Sequence, residues 1–176
     1  MKISKILIAF VSAFFATSTF AADPWPNRPI KFVVGFGPGG ANDLVARAVA
    51  EAVGKQLGQP VIVENKPGAG GNIGIDAVVK SKPDGYTLAV GQTSNLAINP
   101  TLYPRVAYDP LTEITPIAFI TQQPVVVVVR EDSSFKTIED LIKAARSKDN
   151  LLMASAGSGT VGHLAGELLA RKAGFK

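Results

Sequence analysis

Three stretches of small and polar residues each follow an apolar run: Gly35-Phe36-Gly37-Pro38-Gly39-Gly40-Ala41-Asn42, Gly91-Gln92-Thr93-Ser94-Asn95 and Ser155-Ala156-Gly157-Ser158-Gly159-Thr160. Residues without bulky side chains let backbone N–H groups approach a ligand, and the free amides of a helix's first turn favour negative charge. The ligand these stretches suit is a small anion. Any one of them alone reads as an ordinary connecting turn; three in corresponding places point to a site.

Two sharper chemistries compete for the same residues. Gly35 to Gly40 satisfies G-x-G-x-x-G, and Glu64 closes a second apolar run where a ribose-binding acid belongs. Pro38 removes one amide from that loop, and the N-terminus lacks the twin-Arg signal that exports proteins with a cofactor already bound. No dinucleotide or other cofactor is therefore expected. Hydrolysis is poorly supported too, because Ser158 stands in Ala156-Gly157-Ser158-Gly159-Thr160, which is not a G-x-S-x-G nucleophile elbow. His163 is the one histidine; a general base, a cap, a packed side chain and a hydrogen-bond donor to a ligand all remain open to it. One His and no Cys argue against a metal site.

The elements that must position these stretches alternate strand and helix. Ile30 to Val34 is a β-branched and aromatic run that reads as a buried strand. A helix follows, with Leu44, Val45, Ala48, Val49, Ala52, Val53 and Leu57 at helical spacing, Asn42 or Asp43 able to cap it and Gly58 where it should stop. Val61 to Glu64 is a second strand. Its loop, Asn65 to Asn72, leads to a short helix from Ile73 to about Lys80, and Tyr86 to Val90 is a third strand. Further strands are expected at 116–121 and 125–130, where five consecutive valines suggest burial on both faces, and at 151–154; helices are expected at 137–147 and 161–172. The pattern is α/β, with mostly parallel sheets and flanking helices. In such a sheet the loops gather at the carboxyl edge of the strands, where ligands bind.

Lys2 and Lys5 ahead of an apolar run from Ile6 to Phe15, with Thr19-Phe20-Ala21 at its end, make 1–21 a cleavable signal peptide. That run is too short for the roughly 20 apolar residues that span a bilayer, so no stable membrane insertion is expected after cleavage. With no Cys to carry a lipid or a disulfide, the chain reads as an exported protein of the bacterial periplasm. Lys2 and Lys5 supply half of the formal charge of +4, and the other charges are interspersed, so no nucleic-acid partner is indicated.

Longer blocks carry a resemblance. Trp25-Pro26-Asn27-Arg28-Pro29-Ile30, Gly37-Pro38-Gly39-Gly40 through Asp43, Gln59 through Gly74, Pro83 through Leu88, Ala97 through Tyr103, and Ser155 through Thr160 with His163 to Glu167 together resemble the Bug-type periplasmic binding proteins of tripartite tricarboxylate transporters. The resemblance implies a periplasmic-binding-protein-like architecture of two α/β domains that close on a small organic carboxylate and hand it to a membrane permease, without catalysis. It places the carboxylate among Gly37, Pro38, Gly39 and Gly40 with Asp43, Thr93, Ser94 and Asn95, and Ala156, Gly157, Ser158, Gly159 and Thr160 with His163. Contacts through main-chain amides and bridging waters fit the scarcity of basic side chains there. Gly35 and Gly37 stand where the family usually has prolines, which implies a looser first loop and a shifted ligand preference.

The family's proteins are far longer, so the chain is expected to be truncated. An incomplete first domain would occupy 22–121 and only the start of a second 122–176, the crossing falling near Gln122. The sheet would then lack partners and the cleft a wall. Two alternatives accompany this expectation: an extracytoplasmic enzyme acting on a small anion with His163 and Ser158, and a fragment without function because it cannot fold alone, the exposed edges of its unfinished sheet favouring aggregation.

Overall fold

The computed structural model describes residues 24–147 and 151–175, and the expected signal peptide lies outside them. At its centre β1 (Ile30–Val34) buries Ile30, Phe32, Val33 and Val34 and exposes Lys31. Burial on both faces explains why its apolar run is nearly continuous. β2 (Val61–Asn65) and β3 (Thr87–Val90) flank it, both parallel, in the order β2-β1-β3. The register pairs Ile30 with Val61 and Val34 with both Asn65 and Val90. All three strands therefore end level, and the loops after Val34, Asn65 and Val90 leave from one edge.

α1 (Ala41–Leu57) packs on β1 and β2. It ends at Gly58, whose φ of 66° lets the chain turn off the helix as the sequence suggests. Its buried side differs from the expected stripe. Asp43, Ala46 and Ala50 are buried with Val49 and Val53 partly so, while Leu44, Ala48, Ala52 and Leu57 are exposed. The helix turns a small-residue face to the sheet because its carboxylate at Asp43 has partners there. Nor do Asn42 and Asp43 cap it: Gly40 is the N-cap and no side chain caps. The core on this face gathers Ile30, Phe32 and Ala50 with Val49, Val61, Val63, Tyr86, Leu88 and Val90.

A short 3-10 turn (Ala69–Gly71) leads into α2 (Asn72–Val79), which contacts β1 and β3 and buries Ile75. After β3 comes one wide π-helical turn (Ser94–Ile98) running into the brief α3 (Asn99–Leu102). At the opposite edge of the sheet Arg28 lies 4.0 Å over the Tyr86 ring and pairs with Asp84 at 2.8 Å, which keeps residues 25–28 away from the loops.

α4 (Ile138–Ser147) and α5 (Val161–Ala173) form where helices are expected. Thr137 and Asp140 build a reciprocal cap for α4: Asp140 N–H donates to Thr137 Oγ1 (3.2 Å) and Thr137 N–H to Asp140 Oδ2 (3.0 Å). The Arg146 guanidinium donates to the Ala173 carbonyl at 2.6 Å and joins the two helices beside the buried Ala145 and Ala173.

The strands expected at 116–121, 125–130 and 151–154 are not formed. These segments run without ladder partners among the described residues, and each of Val125 to Val129 is exposed by about half or more, from 49% to 79%. A strand is a pairing, and β-branched composition supplies the propensity without the neighbour that accepts its N–H groups.

Candidate functional site

The first loop is built around a buried carboxylate. Asp43, only 2% exposed, accepts from the Gly39 amide (2.9 Å) and Arg47 Nε (2.9 Å) on Oδ2, and from Asn65 Nδ2 (2.9 Å) on Oδ1. Asn65 also donates to the Phe36 carbonyl at 2.9 Å and accepts from Arg47 Nη2 at 3.2 Å, so its amide is fully used. The Arg47 hydrogen bond, then the Gly39 amide and Asn65, hold the Asp43 carboxyl far below the usual carboxylate range despite its burial. The same pair raises the pKa of Arg47. Gly37, Pro38, Gly39 and Gly40 themselves are exposed at the mouth of this edge.

Glu64, one residue before Asn65, points elsewhere. It pairs with Lys31 (2.7 Å) and Lys66 (3.2 Å), which lower its pKa in that order. A carboxylate engaged by two lysines is a poor ribose acceptor.

Under the third loop, Gly91 to Asn95 after β3, lies a buried polar network. Ser94 and Asn95 are buried while Thr93 is exposed. The Gln92 amide donates to Asn95 Oδ1 (2.8 Å), and the Tyr108 hydroxyl donates to the Asn95 carbonyl (2.6 Å) with Asn72 Oδ1 3.0 Å away. Asn99 Nδ2 donates to Asn72 Oδ1 (2.7 Å) and to the Gly70 carbonyl (3.1 Å). Burial, with a smaller contribution from the Asp76 charge, pushes the Tyr108 phenol up to about 12. Asn95 Nδ2 and Asn99 Oδ1 are buried without a hydrogen-bond partner among the described residues.

Gly70 and Gly71 tie the loops together. A Cβ on Gly71 would stand 2.7 Å from Asn95 Nδ2 and 2.8 Å from Phe36 Cε2; one on Gly70 would stand 2.8 Å from Asn99 Nδ2 and 2.9 Å from the Ser158 carbonyl. Both have positive φ, 64° and 93°. Only glycine permits this approach. The turn at 69–71 therefore touches the first loop, the third, and a fourth at Ser155 to Thr160, at once.

The fourth loop caps α5. The Thr160 hydroxyl donates to the Gly157 carbonyl (2.7 Å) and accepts from the His163 amide (3.3 Å), while the Gly159 amide donates to His163 Nδ1 (3.4 Å). His163 Nε2 lies 3.9 Å from Glu167. The His163 side chain thus accepts from the residue just before the Thr160 N-cap. No hydrogen bond joins Ser158 to His163 among the described residues, and Ala156 and Ser158 face solvent. No group of three or more His, Cys, Asp or Glu that could hold a metal occurs among them, and none of their helices is long and apolar enough to cross a membrane.

The expected site residues thus fall in three neighbouring loops, with Asp43 beneath the first and His163 on the first turn of α5. Sequence reasoning passed over Asn65, Gly70, Gly71, Asn99, Tyr103 and Tyr108. The dense glycines of 68–71 were the available sign for the central turn; nothing in residue type marks Asn99 or Tyr108 as buried posts.

A model of the tripartite tricarboxylate transporter family receptor matches residues 45–176. A UPF0065 protein from the tcbD-tcbE intergenic region of Pseudomonas sp. (strain P51) is 41% identical over 172 residues, covering 96% of this chain and 51% of its own length. An R. palustris protein solved with adipate superposes with a TM-score of 0.83 at 33% identity, over 87% of this chain and 52% of that one. MatC from Rhodopseudomonas palustris with bound malate does so with 0.80 at 35%, over 86% and 52%. The chain spans about half the length of the curated relatives it matches. The resemblance read from the sequence is borne out: the chain belongs to the tripartite tricarboxylate transporter receptor family.

Proposed function

We propose that the chain belongs to an exported solute-binding protein that captures a small organic carboxylate in the periplasm and delivers it to the permease of a tripartite transporter. Adipate and malate in the two solved relatives support that ligand class, and by the same likeness dicarboxylates, tricarboxylates and acidic amino acids are its members to test. The observation that carries the reading is the meeting of three loops of small and polar residues on the Gly70-Gly71 turn at one sheet edge. In this reading the backbone amides of Gly37 and Gly40, the polar groups of Thr93, Ser94 and Asn95, and the loop from Ala156 to Thr160 surround the carboxylate, with Pro38 shaping the mouth and Gly39, whose amide is given to Asp43, fixing the turn. Asp43 does not touch the ligand, since its oxygens are engaged and its charge would repel an acid. It holds the loop open for one. His163 braces the fourth loop through Gly159.

The sheet-bearing residues 22–121 are a first α/β domain and 122–176 the start of a second, with residues 1–21 removed on export. The protein binds without turnover and needs no cofactor. Titration calorimetry with malate, adipate, citrate and glutamate tests this: saturable uptake of one acid, recovered unchanged, is expected. Conversion of the acid into a product would contradict it.

A further inference from the structure

The fourth loop is secured mainly to its own helix. Its bonds through Thr160, Gly157 and His163 all lie within 155–163. Among the described residues a single hydrogen bond joins 151–175 to the sheet-bearing part 24–115: the Tyr103 hydroxyl donates to the Ser158 carbonyl at 3.0 Å, across 55 positions of sequence. Beside it Asn99 Oδ1, buried and without a hydrogen-bond partner, abuts Gly159, and the edge of the Tyr103 ring lies against the same glycine. A Cβ at Gly159 would collide with Asn99 Oδ1, and its φ of 77° strains any other residue placed there.

We propose that Tyr103 is a positioning residue: its hydroxyl, with the Asn99–Gly159 contact, latches the fourth loop onto the Gly70 turn and slows the escape of a bound carboxylate. The loop contact stands on the geometry alone; the effect on escape rests on the carboxylate reading above. One partly exposed hydrogen bond is a device that opens and closes, because its net strength is small. Breaking it leaves both loops intact and their separation easier. An interaction made after the ligand has entered acts on the rate of leaving more than on the rate of arrival.

The test is Tyr103→Phe in the full chain, labelled with nitrogen-15. Amide exchange at Gly159, Thr160 and His163 is expected to quicken about two- to tenfold, the range one neutral hydrogen bond spans. Exchange at Val33 in β1 should stay unchanged, which separates loop release from loss of fold. The resonances of the single imidazole should shift with it. Gly159→Ala, acting from the other side of the contact, should quicken the same amides. With malate as probe, release after dilution should accelerate by the same factor as exchange, with little change in uptake. Unchanged exchange at 159–163 in Tyr103→Phe would overturn the latch, as would faster exchange with unaltered malate release. If neither chain takes up malate, adipate, citrate or glutamate while exchange still quickens, the carboxylate reading fails and the loop contact stands.

Discussion

Asn65, the last residue of β2, donates to Asp43 Oδ1 at 2.9 Å on the first turn of α1 and to the Phe36 carbonyl at 2.9 Å in the loop between β1 and α1. One side-chain amide thereby fixes strand, loop and helix in register, and the exposed glycines at 37, 39 and 40 inherit their arrangement from it.

Asn65→Ala should leave the Phe36 carbonyl and one Asp43 oxygen without a donor. Stripping partners from part-buried acceptors costs about 1–3 kcal/mol. The urea midpoint should fall accordingly, and carboxylate affinity should fall with it. Asn65→Asp, which sets a second carboxylate against Asp43, should be worse than alanine.

Asp43 gives the acid response a defined sign. Its folded pKa lies below the unfolded value of about 3.9, so its stabilising effect is complete above that pH and is lost as pH falls toward the depressed folded value. Asp43→Asn should be less stable than the parent chain at pH 7. The gap between the two should close as pH drops below about 4. Urea unfolding at a series of pH values measures it; a gap independent of pH would refute the assignment.

Gly71→Ala and Gly58→Ala separate backbone strain from collision. Both glycines have positive φ, but a Cβ at 58 meets nothing within 4 Å, whereas one at 71 meets Asn95 and Phe36. Gly58→Ala should cost about 1–2 kcal/mol and leave carboxylate affinity unchanged. Gly71→Ala should cost more and abolish binding, because the loops on either side must part.

Tyr108→Phe should remove a donor from the buried Asn95 carbonyl and destabilise by about 1–3 kcal/mol. The phenol's raised pKa means that its contribution persists through neutral pH and is lost as pH climbs toward about 12. In alkaline absorbance titration the Phe variant should lack the step near that pH.

What could be read from residue order was whatever depends on local pattern. The apolar run of β1, the Gly58 stop and the period of α4 and α5 each follow from neighbours within a few positions. The parallel sheet followed from strand and helix alternating. The outward turn of Leu44 and the role of Asp43 depend on Asn65, 22 positions away from Asp43, and were not legible. The five valines at 125–129 misled for the same reason, since the partner that makes a strand is not written in the strand. In the site, small-residue loops marked the edge correctly, while the turn joining them was visible only once Gly70 and Gly71 were seen in contact with Asn99 and Asn95.

The most direct measurement is the thermal melting of the chain from residue 22 onward, alone and with malate, adipate, citrate and glutamate. A ligand that binds only the native state raises the melting temperature, and continues to do so logarithmically as its concentration exceeds the dissociation constant. The account predicts one cooperative transition that rises with at least one of these acids, whereas the lower transition of Gly71→Ala moves with none of them. A cooperative transition that no acid moves would contradict it.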